Sequence, residues 1–342
     1  MARLATRLTK FLNIQSPIIV PPMALVGNGT LAANAHLGGG FGFIPAGYKS
    51  QEWIQSEIDI ARNLLPRSES SRVPIGIGFF GWELDKSVSD DIITLGLANN
   101  VQALWFSFGN DLEKYVKFVR EHPMGKETAV FVLASTIAEG KSIIQDWKFK
   151  PDVLVCQGNE SGGHGNSDSP LLSVLLPTII SLLPPSSPII PIAAGGLTTS
   201  SHIASILTLG AQAAVLGTRF LLTPEATYPN HFKSLLLNST SANTIRTTAF
   251  DRARGTTEWP AGVDGRGIIN ATVRDFDAGA EEHVLVAKYK EAMETKDTNR
   301  VVVWSGTGVG LIEDVKPTKD LVRELTEGCI QQLKVVSKML DD

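Results

Sequence analysis

Eight short apolar runs, separated mostly by segments of helical character, constrain the fold of this chain more than any other feature. The runs are apolar nearly throughout rather than alternating, which is typical of parallel strands buried on both faces. They cover residues 17–20, 41–44, 73–80, 103–108, 129–133, 152–156, 189–193 and 213–216. Strands alternating with helices predict a right-handed βα series. Eight units favour a closed (β/α)8 TIM barrel, although periodicity alone leaves an open doubly wound sheet possible.

Segments between and after these runs have helical spacing of apolar residues. Residues 29–37, 111–121 and 200–209 are predicted helices of the barrel. After residue 220 the pattern changes, and a polar, glycine-rich loop is expected over 251–267, flanked by helices such as 281–294. We therefore predict a barrel over residues 1–222, a smaller, mostly helical cap over 223–317 that shapes the substrate pocket, and a C-terminal segment, 318–342, whose helix packs back on the barrel.

Composition excludes several classes of partner. The 342 residues carry a net charge of −4 without a basic block, so nucleic acid is not expected as a partner. Apolar runs are all shorter than the roughly 18 residues of a membrane span. The two cysteines, Cys156 and Cys329, form no disulfide framework and fit a reducing compartment, so we expect a cytoplasmic protein. Metal-ligand spacing is absent from the sequence.

A glycine-rich loop follows the sixth apolar run. Residues 155–165 read Val-Cys-Gln-Gly-Asn-Glu-Ser-Gly-Gly-His-Gly, with His164 near the tip. Glycines allow backbone N–H groups to approach a flat or anionic ligand closely. A histidine beside such a surface exchanges protons near neutral pH. This combination indicates cofactor chemistry, although a histidine hydrogen-bonded to a carbonyl in a plain turn is the alternative.

Two further glycine motifs end the last two predicted strands. Gly195 and Gly196 follow the seventh run, and Gly217 and Thr218 follow the eighth. Loops at these positions of a barrel commonly hold a phosphate. The helix expected to begin near residue 199 or 200 would add its positive end. The first run ends in Pro21-Pro22-Met23-Ala24, which on spacing alone is a stiff turn with a core methionine.

These segments together resemble the nitronate monooxygenase family, formerly called 2-nitropropane dioxygenase. The resemblance lies in residues 17–24, 157–165, 193–197, 216–226 and 303–312, and extends from about residue 10 to about residue 312. It implies an FMN-binding (β/α)8 barrel with a smaller, partly helical domain.

The resemblance also implies roles for individual residues. His164 matches the catalytic base above the flavin. The expected cofactor-binding residues are Pro22, Met23 and Ala24 under the ring, Gln157, Gly162 and Gly163 along the ring and ribityl chain, and Gly195, Gly196, Gly217 and Thr218 around the phosphate. Gly78 departs from the family pattern, because an asparagine is often found there; the glycine either enlarges the pocket or lets Phe79 and Phe80 reshape it.

The implied activity is oxidation of alkyl nitronates, with propionate 3-nitronate and neutral nitroalkanes as candidates, by O2 to a carbonyl compound and nitrite, a detoxifying reaction. The expected form is a monomer or homodimer. Alternatives are an FMN-dependent NAD(P)H:quinone or enoyl reductase, a non-redox phosphate-binding barrel enzyme, and a silent binding protein. Trp259 and Trp304 are expected to pack in the core, with a place at the domain junction or in the pocket lining as the alternative. Of the arginines at 252, 254, 266 and 274, most are expected at the surface, and the alternative is that some attract an anionic substrate carboxylate.

Overall fold

Eight parallel strands close into a barrel in the computed structural model, which describes residues 3–66, 72–86 and 89–340. The barrel strands are β1 (Ile18–Val20), β2 (Phe41–Pro45), β3 (Val73–Phe80), β4 (Val101–Ser107), β5 (Ala129–Ala134), β6 (Val153–Gln157), β8 (Ile190–Ala194) and β9 (Ala214–Val215). β1 pairs with both β2 and β9, so the sheet has no free edge. The predicted barrel and its closure are confirmed, and every strand end lies within two residues of its predicted position.

Burial on both strand faces explains the apolar runs. Side chains such as Phe43, Trp105 and Phe131 point into the barrel and pack against one another at centroid distances of 5.1–5.8 Å. Leu8 and Leu12 belong to this interior cluster. The short helix that carries Leu8 therefore closes the amino-terminal end of the barrel, and ligand access is left to the carboxyl end of the strands.

The helices surround the barrel and continue through the second half of the chain. They are α1 (Arg7–Phe11), α2 (Gly29–Leu37), α3 (Gln51–Leu64), α4 (Gly81–Leu84), α5 (Ser89–Ala98), α6 (Glu113–Glu121), α7 (Ile137–Gln145), α8 (Leu172–Leu182), α9 (Ser200–Thr208), α10 (Thr218–Leu221), α11 (Asn230–Leu237), α12 (Ala249–Arg254), α13 (Ala271–Asp277), α14 (Glu282–Thr295) and α15 (Thr318–Ser337), with 3-10 turns at Ser241–Asn243 and Thr307–Leu311.

A second, antiparallel sheet crosses from the barrel into the later part of the chain. Its order is β10 (Thr244–Thr247), β11 (Val263–Ile268), β7 (Gly163–Asn166). The prediction of a loop over 251–267 was wrong at both ends, because α12 and β11 occupy much of it. The glycine loop after β6 likewise contains a strand, β7. Glycines at both strands weakened the strand signal, since glycine has low β-propensity.

The C-terminal helix α15 lies against α2 and α9. A Cβ built at Gly38 would lie 2.8 Å from the Cβ of Val322, and one at Gly328 would lie 2.3 Å from Oγ of Ser200. These glycines therefore allow close helix packing. Of the predicted segments, residues 1–2, 67–71, 87–88 and 341–342 lie outside the described residues.

Candidate active site

A cavity of about 220 Å³ opens at the carboxyl ends of the barrel strands. It is the place where the separate sequence motifs meet. Every residue predicted to be catalytic or to bind the cofactor lines it: Pro22, Met23, Ala24, Gly78, Gln157, Gly162, Gly163, His164, Gly195, Gly196, Gly217 and Thr218. Convergence of motifs nearly 200 positions apart follows from barrel closure, which brings β1 beside β9.

The loops after β8 and β9 present free backbone donors to the cavity. The N–H groups of Gly195, Gly196, Gly217 and Thr218 have no hydrogen-bond acceptor within the part of the chain that the structure describes. Gly195 and Gly196 have φ values of +117° and +68°, which favour glycine. All four residues are half-buried and line the cavity, so their free N–H groups can donate to an acceptor ligand there.

The N-terminus of α9, which was expected to help bind a phosphate, has fewer free donors than its position suggests. Its N-cap residue Thr199 accepts a hydrogen bond from the His202 N–H, and the N–H of Thr198 donates to Nδ1 of His202. Two donors at this helix start are therefore already paired within the protein. The donors left for a ligand are those of the glycine turns.

Gly78 does not enlarge the cavity. A Cβ at this position would lie 2.2 Å from Cγ of Pro22, so the proline ring occupies the space that a side chain would need. The glycine and the rigid exit of β1 are therefore complementary, and an asparagine at position 78 would displace Pro22.

The loop that carries the histidine is fixed from several directions. Nε2 of Gln157 donates to the carbonyl oxygen of His164 at 2.9 Å. A Cβ at Gly162 would lie 2.4 Å from the backbone nitrogen of Gly306, whose N–H donates to Oγ1 of Thr218. Close backbone approach thus links the histidine loop to the turn after β9.

His164 lies on β7, opposite Gly265 of β11. Both carboxylate oxygens of Asp251, in the first turn of α12, lie 3.0 Å from its Nε2. Asp251 also accepts a hydrogen bond from Oγ1 of Thr256 at 2.9 Å. A carboxylate accepts, so Nε2 carries the proton in the neutral ring, and Nδ1 is left as the lone-pair nitrogen. No described residue is hydrogen-bonded to Nδ1.

Two tryptophans bound the imidazole. The ring of Trp259 stacks on it with centroids 3.7 Å apart and planes inclined by 14°, and Trp304 lies 4.9 Å away. Both line the cavity, which was the alternative to core packing that the sequence left open. The indole cover excludes water, and burial lowers the pKa of His164 below 6.5, against the opposing hydrogen bond and charge of Asp251. Burial thus favours the neutral form of the ring, which is the form that can accept a proton.

Arg254 supplies positive charge at the same cavity. Its guanidinium lies 3.6 Å from Oδ1 of Asp251 and 5.8 Å from the centre of the Trp304 ring, and its side chain is 16% exposed. Arg252 and Arg274 are exposed, as expected, but Arg254 and Arg266 are half-buried, so the expectation that most of the four lie at the surface was wrong.

Sequence reasoning missed Asp251 altogether, and with it a second buried group, Arg246. Arg246 pairs with Asp264 at 2.5 Å across β10 and β11, with side chains 8% and 13% exposed. Its guanidinium also lies 3.5 Å from the Ser161 carbonyl oxygen. Ion pairs between distant segments leave no periodic pattern in a sequence, so only the spatial arrangement identifies them.

The chain is similar to known proteins of one enzyme family. Residues 5–328 match the family model described as nitronate monooxygenase. A nitronate monooxygenase of Neurospora crassa is 31% identical, covering 95% of this chain and 92% of the relative.

Solved structures with the same fold include FabK from Thermotoga maritima, with a TM-score of 0.80, 23% identity, and coverage of 98% of this chain and 100% of that one. They also include a nitroalkane oxidase from Streptomyces ansochromogenes, with a TM-score of 0.76, 25% identity, and coverage of 96% and 99%. By the family match and the fungal relative, this chain is an enzyme that belongs to the nitronate monooxygenase family.

Proposed function

We propose that this protein is an FMN-dependent enzyme that oxidises alkyl nitronates, and less readily neutral nitroalkanes, with O2 to a carbonyl compound and nitrite. The observation that carries the proposal is the state of His164, which lines the cavity: Asp251 holds Nε2, and Nδ1 has no hydrogen-bond partner among the described residues. The similarity to a nitronate monooxygenase and to a nitroalkane oxidase supports the substrate class.

The residues that line the cavity fit FMN. The four free amides of residues 195, 196, 217 and 218 suit its phosphate, and Pro22, Met23 and Ala24 offer a flat surface for its ring. Nε1 of Trp105 also lies at the cavity, buried and without a partner among the described residues, as expected of a donor reserved for a polar ligand. When bound, FMN supplies the electron acceptor for the nitronate and the donor for O2.

His164 acts on the neutral substrate. Nδ1 takes the α-proton of the nitroalkane, the C–H electron pair remains on the substrate as the nitronate, and the imidazolium that forms is stabilised by the Asp251 carboxylate. Arg254 provides a positive charge for the nitronate oxygens. A substrate that enters as the nitronate needs no proton removed, so His164 then serves only to orient it.

We further propose a cytoplasmic enzyme, since both cysteines are free, buried thiols. In the part of the chain that is described, no helix is long and apolar enough to cross a bilayer. We expect a monomer or homodimer that acts on small molecules.

The visible spectrum of the purified protein tests the cofactor. We expect a yellow protein whose absorbance is bleached anaerobically by ethyl nitronate, with nitrite formed when O2 is admitted. Fast bleaching by NADH, without a response to nitronate, would assign the enzyme to the reductases instead. A colourless protein that cannot be reconstituted with FMN would contradict the proposal.

Substitution of His164 tests the proton transfer. His164→Ala is expected to abolish oxidation of neutral nitroethane while retaining much of the activity on ethyl nitronate, because only the neutral substrate requires a base. Equal loss on both substrates would reject this division of roles.

A further inference from the structure

Four aromatic side chains from separate segments form one surface at the mouth of the cavity. We call Tyr48, Phe80, Phe108 and Trp259 the aromatic wall; all four line the cavity. Phe80 lies 5.1 Å from Trp259, 5.8 Å from Tyr48 and 6.2 Å from Phe108, and Phe108 lies 5.4 Å from Trp259, all between ring centroids. The wall therefore offers a continuous apolar face beside His164.

The backbone is strained where it presents two of these rings. Six described non-glycine residues have φ in the left-handed region, and three of them, Leu25, Tyr48 and Phe108, line the cavity, with φ of 65°, 61° and 54°. Bulky residues in this region cost free energy and persist where the surrounding structure imposes them, often at binding sites. The strain is therefore a second observation that assigns these side chains to ligand contact.

The charges at the cavity are few. Among the described lining residues, only Arg254 and His164 have side chains that carry positive charge, and no lining residue is acidic. Burial lowers the pKa of His164 and so favours its neutral form. Arg254 already faces Asp251 at 3.6 Å. The free amides of residues 195, 196, 217 and 218 are assigned to the FMN phosphate, so Arg254 is the charged side chain left among the described lining residues for a substrate anion. A second buried anion on the substrate would lose its hydration without a charged partner.

We propose that the preferred substrates are monoanionic nitronates with an aromatic or bulky apolar substituent, an inference that rests on the proposed function. By the same argument, the dianion propionate 3-nitronate is a poor substrate. The nitronate group lies between Arg254 and His164, and the substituent packs on the aromatic wall.

Carboxylates that mimic each nitronate test this preference without turnover. Phenylacetate, propionate and succinate match phenylmethyl nitronate, ethyl nitronate and propionate 3-nitronate in shape and charge. On the FMN-loaded enzyme at pH 7.5 (about one unit above the ordinary histidine pKa), calorimetry is expected to give phenylacetate a Kd about tenfold below that of propionate. Succinate is expected to bind about fivefold more weakly than propionate, because its second carboxylate is not compensated.

A conservative variant tests whether the aromatic wall causes the preference for an aromatic substituent. Phe108→Leu keeps an apolar side chain and removes the flat ring, so phenylacetate should bind about fivefold more weakly while propionate changes by less than about twofold. In steady state, kcat/KM should follow the same order for the three nitronates. Succinate binding as tightly as phenylacetate, or equal weakening of both ligands by Phe108→Leu, would overturn the inference.

The two proposals fail separately in this design. If no nitronate is oxidised but the carboxylate order is as expected, the proposed reaction is wrong and the monoanion preference of the cavity stands. If nitronates are oxidised and propionate 3-nitronate has the highest kcat/KM, the reaction stands and the substrate class inferred here is wrong.

Discussion

Asp251 and His164 are coupled by two contacts of 3.0 Å between the carboxylate oxygens and Nε2, although the residues lie 87 positions apart in the chain. The carboxylate fixes the tautomer and stabilises the charged ring once it has accepted a proton. Asp251 is therefore a positioning residue for a base that it does not itself replace.

Asp251→Asn is expected to lower kcat/KM for neutral nitroethane at least about tenfold, which is less than the roughly 10²–10⁴ that general base catalysis contributes in full, because His164 itself remains. Activity on ethyl nitronate should change by less than about threefold, since no proton is removed from that substrate. Stopped-flow reduction with each substrate measures both. Asp168→Asn, an exposed carboxylate beyond β7, is the matched control. Comparable losses on the two substrates would show that Asp251 acts only on the fold.

The acid limb of activity on nitroethane is expected below pH 6.5. The base works in its neutral form, and burial lowers the pKa of His164, so activity is retained at pH 7 and is lost only as pH falls through the lowered pKa. Asp251 opposes this shift, so removal of its charge should move the limb to still lower pH. A profile of kcat/KM against pH for the parent and Asp251→Asn enzymes checks the sign. A limb above pH 6.5 in the parent would contradict the burial argument.

Gly217→Ala tests the set of free amides. A Cβ at Gly217 would meet only Cγ of Pro21 at 3.9 Å, and its φ of −90° is accessible to alanine, so the fold should tolerate the change. The methyl group points into space that we assign to the FMN phosphate, and we expect the FMN Kd to rise about tenfold, or about 1.4 kcal/mol. Fluorescence titration of the apoprotein measures the Kd, and its melting temperature provides the control. Unchanged FMN affinity would place the phosphate elsewhere.

The Arg246–Asp264 pair is expected to dominate the stability of the second sheet. Asp264→Ala leaves a guanidinium that is 8% exposed without its carboxylate, and breaking such a buried pair costs about 3–5 kcal/mol. Asp59→Ala breaks the Asp59–Arg62 pair, whose side chains are 49% and 43% exposed, and should cost less than about 1 kcal/mol. Urea denaturation of both variants compares the two. Similar small losses would show that Arg246 is satisfied by backbone carbonyls alone.

The barrel could be predicted from the sequence because its signal is local. Each apolar run, such as residues 129–133, reports burial on both faces, and Gly195 and Gly196 after β8 report positions where a side chain does not fit. The assignment of individual residues to the cofactor site depended on the family resemblance. The pattern Pro22-Met23-Ala24 alone indicated only a stiff turn.

The partners of His164 could not be predicted in the same way. Asp251, Arg254 and Trp259 lie in a segment that resembles a polar loop, and their role depends on the pairing of β7 with β11. That pairing joins glycine-rich strands, for which sequence preference is weak. Their chemistry arises from contacts between segments about 90 residues apart, and no local periodicity records such contacts.

The pairing of His164 with Gly265 means that the base belongs to the barrel by sequence and to the second sheet by hydrogen bonding. The two parts of the chain are therefore not interchangeable modules. A chimera that takes residues 223–317 from a relative must also take a matching edge strand around His164. A fragment ending at residue 222 would retain His164 but lose both the Asp251 carboxylate and the strand β11 that holds the histidine in place.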